Sequence, residues 1–149
     1  MSDVLTTPRL ALPLLAAGQA QKEITHNEAL TLVDLAIAPL VETIAANQPP
    51  PSPAIGQQWI VGPAPAGAWT GQAGALAGWT GHGWRFLHLP PGATVTERPT
   101  MLQWQRNSVS WVAPVAVTAP SGGATIDAEC RAKLAVLITA LSARGLLAA

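Results

Sequence analysis

Three tryptophans spaced ten residues apart set the strongest limit on the fold of this 149-residue chain. Trp59, Trp69 and Trp79 each lie in a short run that glycine or proline bounds. Such runs are typical of short strands joined by turns, and the interval matches the turn-to-turn spacing of small all-β domains. GAWTG and AGWTG echo each other as in a degenerate hairpin repeat, although the turn spacing alone accounts for the pattern. The sequence therefore predicts a small antiparallel, Trp- and Gly-rich β domain over residues 38–118.

The end of this domain carries a hairpin signal. The tetrapeptide RNSV fits a tight turn with Asn107 and Ser108 at its tip. A two-residue turn places Trp104 directly opposite Trp111, and aromatic cross-strand pairs contribute about 0.2–1 kcal/mol. The same register places Leu102 opposite Ala113.

A helix is predicted from Gln19 to Ile37. Pro39 ends it, because proline lacks the N–H that the helix ladder needs and restricts the residue before it. Apolar residues recur at spacings of three and four, which is the period of one helix face. One member of the stripe, Asn27, is an amide, and an amide in a helix seam can fix register or oligomer number. The stripe comprises Ala20, Ile24, Asn27, Leu30, Val33 and Ile37.

A second helix is predicted to begin near Thr125 or Asp127, where either side chain can cap the free N–H groups. It ends at Arg144 and Gly145, since glycine supplies the left-handed residue of a C-cap. Its stripe has the narrow spacing by which helices associate, and comprises Cys130, Leu134, Leu137 and Leu141. With residues 1–18 as an N-terminal arm, 19–37 as an assembly helix and 119–149 as a hinge and oligomerisation helix, the fold class is α+β.

Charge is scarce and unevenly placed. Eight basic and eight acidic residues give a net charge of zero, which argues against a nucleic-acid partner. Between Glu42 and Glu97 the only charged residue is Arg85. Only 11% of residues are charged, against about a quarter in ordinary soluble domains, so we expect much of the surface to face other subunits. The expected oligomer interface comprises Gln19, Ile24, Asn27, Leu30, Val33, Leu134, Leu137 and Leu141.

The segment GQAQKEITHNEAL concentrates polar side chains but does not indicate an active site. Glu23 and His26 can pair because positions three apart share a helix face, whereas Glu28 points elsewhere. A metal site needs further ligands with suitable spacing, and neither the other histidines nor Cys130, interpreted as a small core residue, supplies them. A glycosidase needs two suitably spaced carboxylates, and the β domain has none between Glu42 and Glu97. We expect no catalytic residue, no metal, no cofactor, no membrane insertion and no signal peptide.

Six tryptophans remain to be explained in a chain with no tyrosine and one phenylalanine. Trp69, Trp79 and Trp84 lie in Gly-rich surroundings where a side chain can stay exposed and stack on a sugar ring. The alternative is that they form the core of a small β domain, and that interpretation is stronger for Trp59 and for the two hairpin tryptophans.

The order of motifs resembles a known family. TPRLALPLLAAGQAQKEITHNEAL, a proline-rich spacer and GQQWIVGPAPAGAWTGQAGALAGWTGHGWRF are similar to an uncharacterised domain of tail-fibre and head-spike proteins in α-proteobacterial prophages and gene transfer agents. The resemblance covers residues 5–89, whereas the segment after Phe86 departs from the family pattern. No established catalytic residue accompanies the family.

The resemblance implies a structural virion component, a tail fibre or head spike involved in attachment to the host surface. It would be made in the bacterial cytoplasm, form a homo-oligomer, by fibre symmetry a trimer, and contact other tail or capsid proteins. The alternative function is a carbohydrate-binding module that recognises host capsular polysaccharide through Trp69, Trp79 or Trp84.

Overall fold

A computed structural model describes residues 5–18, 21–123 and 127–148. Two helices, α1 (Lys22–Ala36) and α2 (Ala128–Ser142), flank a small β domain, so the predicted α+β class is confirmed. A single 3-10 turn, Gly67–Trp69, follows the second strand. The strands are β1 (Leu40–Val41), β2 (Gln58–Ile60), β3 (Leu76–Trp79), β4 (Trp84–Leu87), β5 (Thr94–Glu97), β6 (Gln103–Arg106) and β7 (Trp111–Val112).

The strands form two small sheets. The three-stranded sheet has the order β2-β3-β4 and is antiparallel throughout, with Trp79 opposite Trp84 beside its second turn. The four-stranded sheet has the order β1-β5-β6-β7. Within it β1 and β5 are parallel, with Leu40 opposite Thr96, and the other pairs are antiparallel. Among the strands named above, every pair except β1-β5 is therefore antiparallel, as predicted for this domain.

Residues 42–46 join the two sheets. They continue from β1, and four backbone hydrogen bonds of 2.7–3.1 Å pair them with residues 58–62. The buried Gln58 side chain adds to this junction: its amide nitrogen donates to the Leu35 carbonyl (2.8 Å) and its oxygen accepts from Leu40 N–H (3.2 Å). The end of α1, β1 and β2 are thus held at one point.

The core has two parts, one on each face of the three-stranded sheet, because successive strand residues point to opposite faces. Between the sheets and α1, Ile60 and Leu76 pack with the apolar residues Leu35, Val41 and Val95. On the other face, Trp59 and Ala77 pack with Val61 and with Trp69, which the 3-10 turn places over the sheet. Gly78 allows close approach of α1, since a side chain there would collide with Leu35.

The N-terminal arm wraps around α1 through a buried carboxylate. Asp34, 1% exposed, accepts hydrogen bonds from the Thr7 hydroxyl (2.7 Å) and from the backbone N–H groups of Arg9 (3.1 Å) and Leu10 (2.7 Å). The Arg9 guanidinium donates to three carbonyls at the C-terminal end of α1: that of Asp34 in the last turn, and those of Ile37 and Ala38 just after the helix. Burial lowers the pKa of Arg9, and the Asp34 charge opposes that shift. The arm therefore supplies the C-terminal cap of α1.

The hairpin prediction is wrong in register. Arg106, not Trp104, lies opposite Trp111 at the turn, and Leu102 accordingly does not face Ala113. The turn has four residues because the Asn107 side chain accepts hydrogen bonds from Val109 N–H (2.8 Å) and Ser110 N–H (2.7 Å). This local bonding replaces the two-residue turn.

Helix α2 has the predicted ends. The Asp127 carboxylate accepts from Cys130 N–H (2.9 Å), and Gly145 is left-handed with φ +70°. The N–H of Gly145 donates to the Ser142 carbonyl and that of Leu146 to the Leu141 carbonyl, which is a Schellman cap. Gly145 also receives a hydrogen bond from Gln103 N–H (2.9 Å), so the end of α2 is fixed to β6. The Cys130 prediction is wrong: this cysteine is exposed, because α2 buries no residue.

Among the described residues, neither helix is long and apolar enough to cross a membrane.

Candidate functional site

A cluster of four tryptophans covers the outer face of the three-stranded sheet. Trp84 lies at its centre, with its ring centroid 5.4 Å from that of Trp59, 5.1 Å from that of Trp69 and 5.1 Å from that of Trp79. All three contacts are edge-on, which is a favoured geometry for aromatic pairs. The three predicted carbohydrate-binding tryptophans are therefore brought together in space.

Their exposure differs, and this divides their roles. Trp69 has no exposed surface, so the expectation that glycine neighbours leave it open is wrong. The 3-10 turn in the Gly-rich segment places Trp69 against the sheet, where it packs with Trp59, Val61 and Ala77. Trp79 and Trp84 are half-buried, so part of each side chain remains accessible. Only these two of the three tryptophans present surface to a ligand.

The accessible tryptophans flank the turn between β3 and β4. Thr80 closes this turn, because its N–H and its hydroxyl both donate to the Gly83 carbonyl, at 3.2 and 2.9 Å. Gly81 and His82 are exposed at its tip. Ile55, 63% exposed, lies against Gly81 and extends the apolar surface beyond the turn. We name Ile55, Trp79 and Trp84 the aromatic patch.

The polar segment of α1 is used within the chain. Both polar atoms of the Asn27 amide bond the backbone of Leu15, at 2.9 Å each, so this amide holds the chain's own N-terminal arm. The expected contact of Asn27 with a second copy of the helix needs a free amide, and this amide is already bonded within the chain. Glu28 pairs with Arg85 of β4 at 2.7 Å and ties α1 to the β domain. Within residues 5–18, 21–123 and 127–148, no three histidine, cysteine or acidic side chains are grouped to hold a metal.

The remaining interface candidates on α1 are only partly available. Ile24 is 66% exposed and Val33 is 43% exposed, whereas Leu30 is half-buried. Gln19 lies outside the described residues. The exposed apolar surface of α1 is consequently discontinuous.

Helix α2 offers a larger apolar surface. None of its 15 residues is buried, although it carries a run of large apolar side chains. Leu134 is 37% and Leu137 54% exposed, and Leu141, half-buried, continues the same stripe. Because the spacing 134-137-141 keeps one helix face, these leucines form a continuous strip that the described chain covers only in part. We name this strip the leucine face.

Comparison with known proteins gives one match. A family model described as a protein of unknown function, DUF2793, matches residues 26–112, which is more than half of the chain. The match covers α1 from His26 onward and all seven strands. It also includes the segment after Phe86, which departs from the expected pattern. No curated protein and no solved structure matches the chain in the same comparisons. The chain therefore belongs to the DUF2793 family.

Proposed function

We propose that this chain is a structural, homo-oligomeric component of a phage-like particle, a tail fibre or head spike of a phage or gene transfer agent that takes part in host attachment. The observation that carries the proposal is the leucine face. A 15-residue helix with no buried side chain gains little stability from its own chain, since isolated helices of that length are marginal in water. Packing against copies of itself supplies the missing burial.

The geometry of the C-terminal segment supports this assignment. The Schellman cap at Gly145 and the hydrogen bond from Gln103 fix the end of α2 on the β domain, while Leu134 and Leu137 of the leucine face stay exposed. A helix held at one end and apolar along one side is suited to a bundle with its copies. By analogy with fibre symmetry, we propose three copies. Synthesis in the bacterial cytoplasm, a place in the virion and contact with other tail or capsid proteins complete the proposal.

Size-exclusion chromatography with light scattering tests the assembly. We expect a trimer at micromolar concentration, and monomers after Leu134→Asp together with Leu137→Asp, because these changes bury unpaired charges in the interface. The matched control, Ala132→Asp with Thr139→Asp, places two charges on the opposite side of α2 and is expected to leave the trimer intact. A wild-type monomer, or equal effects of the two double variants, would contradict the proposal.

The aromatic patch favours a second candidate function, binding of host capsular polysaccharide. Indole faces attract the C–H surfaces of sugar rings, and Trp79 and Trp84 keep accessible surface beside an exposed turn. The two functions are compatible, since the patch and the leucine face lie on different elements.

A glycan array followed by Trp79→Ala tests this candidate. The Trp79 ring pairs with one ring of the cluster, that of Trp84, whereas the Trp84 ring pairs with three, so removal of Trp79 disturbs the core less than removal of Trp84. We expect Trp79→Ala to abolish glycan binding, whereas His82→Ala in the same turn retains it. Binding that survives Trp79→Ala would exclude the aromatic patch as the site.

A further inference from the structure

A cavity of about 490 Å³ lies between the two sheets, at the end where β6 and β7 meet the loop before β3. Its apolar wall comes from Ile44, Ile60 and Val61, and its opposite wall from Trp104, Arg106 and Trp111. The volume falls in the range of about 300–1,000 Å³ that small-molecule sites occupy. No ligand is predicted from the sequence at the residues that line this cavity.

Strand alternation shows why this wall is unusual. Trp104 is paired with Val95, a core residue, so its side of the four-stranded sheet faces the three-stranded sheet. Arg106 is two residues further along β6 and therefore shares that inward face. Trp111, which pairs with Arg106, lies on the same face. A guanidinium thus occupies a position where the pattern calls for an apolar side chain.

Arg106 lacks a counter-charge within the described chain. The ion pairs there join Arg85 to Glu28 and Arg98 to Glu42. Within the described residues, the Arg106 side chain makes one hydrogen bond, from Nη1 to the Val109 carbonyl at 3.2 Å. A guanidinium has five N–H donors in a planar fork that matches a carboxylate. Most of the donors of Arg106 are therefore unused by side chains of residues 5–18, 21–123 and 127–148.

The two indoles of the wall differ in the surroundings of their N–H groups. Trp111 Nε1 donates to the Gly74 carbonyl at 3.1 Å, which fixes the ring at the rim of the cavity. Trp104 Nε1 is buried and bonds no atom of the described chain. Buried N–H groups without a partner are rare in folded proteins. The unpaired donors that face the cavity are thus those of Arg106, since Trp104 Nε1 has no surface open to it.

We infer that this cavity binds a small ring that carries a carboxylate. The carboxylate pairs with the Arg106 guanidinium, and the ring packs against Trp104 and Trp111. Glu97 also lines the cavity, at the end away from Arg106. It lies opposite Leu102, whose Cα is about 13 Å along the strand from that of Arg106, at about 3.3 Å per residue. Its carboxylate disfavours a second anionic group at that end. An acidic sugar and an aromatic acid both have this chemistry. The inference is independent of the aromatic patch, which lies on the other face of the three-stranded sheet.

Proton–nitrogen NMR of the full chain tests the inference with three probes: glucuronate, phenylacetate and glucose. The indole N–H signals of Trp104 and Trp111, assigned with Trp→Phe variants, are expected to move saturably with a carboxylate probe and to stay in place with glucose. A larger response to glucuronate identifies an acidic sugar as the natural class, and a larger response to phenylacetate an aromatic acid. No saturable shift with either carboxylate, or equal shifts with glucose, would overturn the inference.

Variants of the arginine complete the test. Arg106→Gln is expected to weaken binding of the carboxylate by about 10- to 100-fold, the loss of a charge-assisted hydrogen bond. Arg106→Lys keeps the charge without the planar fork and is expected to fall between wild type and Arg106→Gln. Arg144→Gln, an exposed arginine at the end of α2, is the control and should bind as wild type. If Arg106→Gln does not fold, the decision passes to Arg106→Lys, and unchanged affinity in that variant would refute the carboxylate contact.

Discussion

Replacing Asp34 with alanine is the perturbation that best tests the account of the fold. The carboxylate is 1% exposed and is bonded by three donors of the N-terminal arm: the Thr7 hydroxyl and the N–H groups of Arg9 and Leu10. Alanine removes the acceptor and leaves these three donors without a partner. It also removes the negative charge beside the Arg9 guanidinium, which keeps its backbone carbonyl partners. We expect the arm to detach and the whole domain to lose stability.

The size of the effect follows from those bonds. A hydrogen bond to a charged group contributes about 1.5–3 kcal/mol, so three independent bonds would give about 4.5–9 kcal/mol. The bonds break as one unit, however, and Leu10 is 39% exposed, so water replaces part of what is lost. We therefore expect a loss of about 3–5 kcal/mol in the free energy of unfolding, as for removal of one partner from a buried charged network. That is a large fraction of the roughly 5–15 kcal/mol that stabilises a typical domain.

Urea unfolding followed by tryptophan fluorescence measures this loss. With an m-value of about 2 kcal/mol/M, the midpoint should fall by about 2 M at fixed protein concentration. Hydrogen exchange at the amides of Arg9 and Leu10 should accelerate in parallel. Glu129→Ala, which removes an exposed carboxylate of α2, serves as the control and should cost less than about 1 kcal/mol. A midpoint shift below about 0.5 M for Asp34→Ala, with the arm amides still protected, would refute the reasoning.

Three further outcomes follow from the same structure. Gly145→Ala should release α2 from the β domain, because a side chain there would collide with the Met101 carbonyl and strain a left-handed backbone; trypsin should then cut at Arg131 and Arg144 faster while the β domain resists. Trp69→Ala should lower the free energy of unfolding by about 3–5 kcal/mol in urea titrations, as expected for a fully buried tryptophan, and a loss below about 1 kcal/mol would show that Trp69 is not core. A double-mutant cycle on Glu28 and Arg85, whose side chains are 45% and 33% exposed, should give a coupling of at most about 1 kcal/mol, and a larger coupling would mean that this pair is shielded from water.

The C-terminal end of α1 and both ends of α2 were predictable because their chemistry is local, whereas α1 begins at Lys22 and not at Gln19. Pro39 follows α1 and Asp127 precedes α2, and each acts on backbone groups within a turn of itself. Gly145 was identified as a C-cap on the same grounds, but its second constraint was not visible in the sequence. The Met101 carbonyl that approaches it belongs to a distant part of the chain.

The hairpin shows what strand alternation can and cannot specify. The pattern correctly puts Trp104 and Trp111 on one face, because a shift of two residues leaves every side chain on the same face. It cannot choose between registers that differ by two, and that choice depends on the bonds of Asn107 within the turn. The face was therefore predictable, and the cross-strand partner was not.

The candidate sites depended on long-range contacts that composition does not report. Glycine neighbours suggested that Trp69 is exposed, whereas its burial results from the packing of a loop onto a sheet. The cavity at Arg106 requires the spatial meeting of β2, β6 and β7, elements from separate parts of the chain. The parallel pairing of β1 and β5 was equally hidden, since a two-residue strand carries no periodic signal.

The double use of residues 40–46 has a consequence for synthesis of the chain on the ribosome. Residues 42–46 pair with residues 58–62, so α1, this segment and the three-stranded sheet can form once Leu87 has emerged. Leu40 pairs with Thr96, 56 positions later, and Val41 with Glu97. Until then β1 is an open, apolar strand edge, the kind of surface on which nascent chains associate. We therefore expect vectorial folding in two stages, with the interval between Leu87 and Glu97 as the period in which copies of the nascent domain are most prone to mispair.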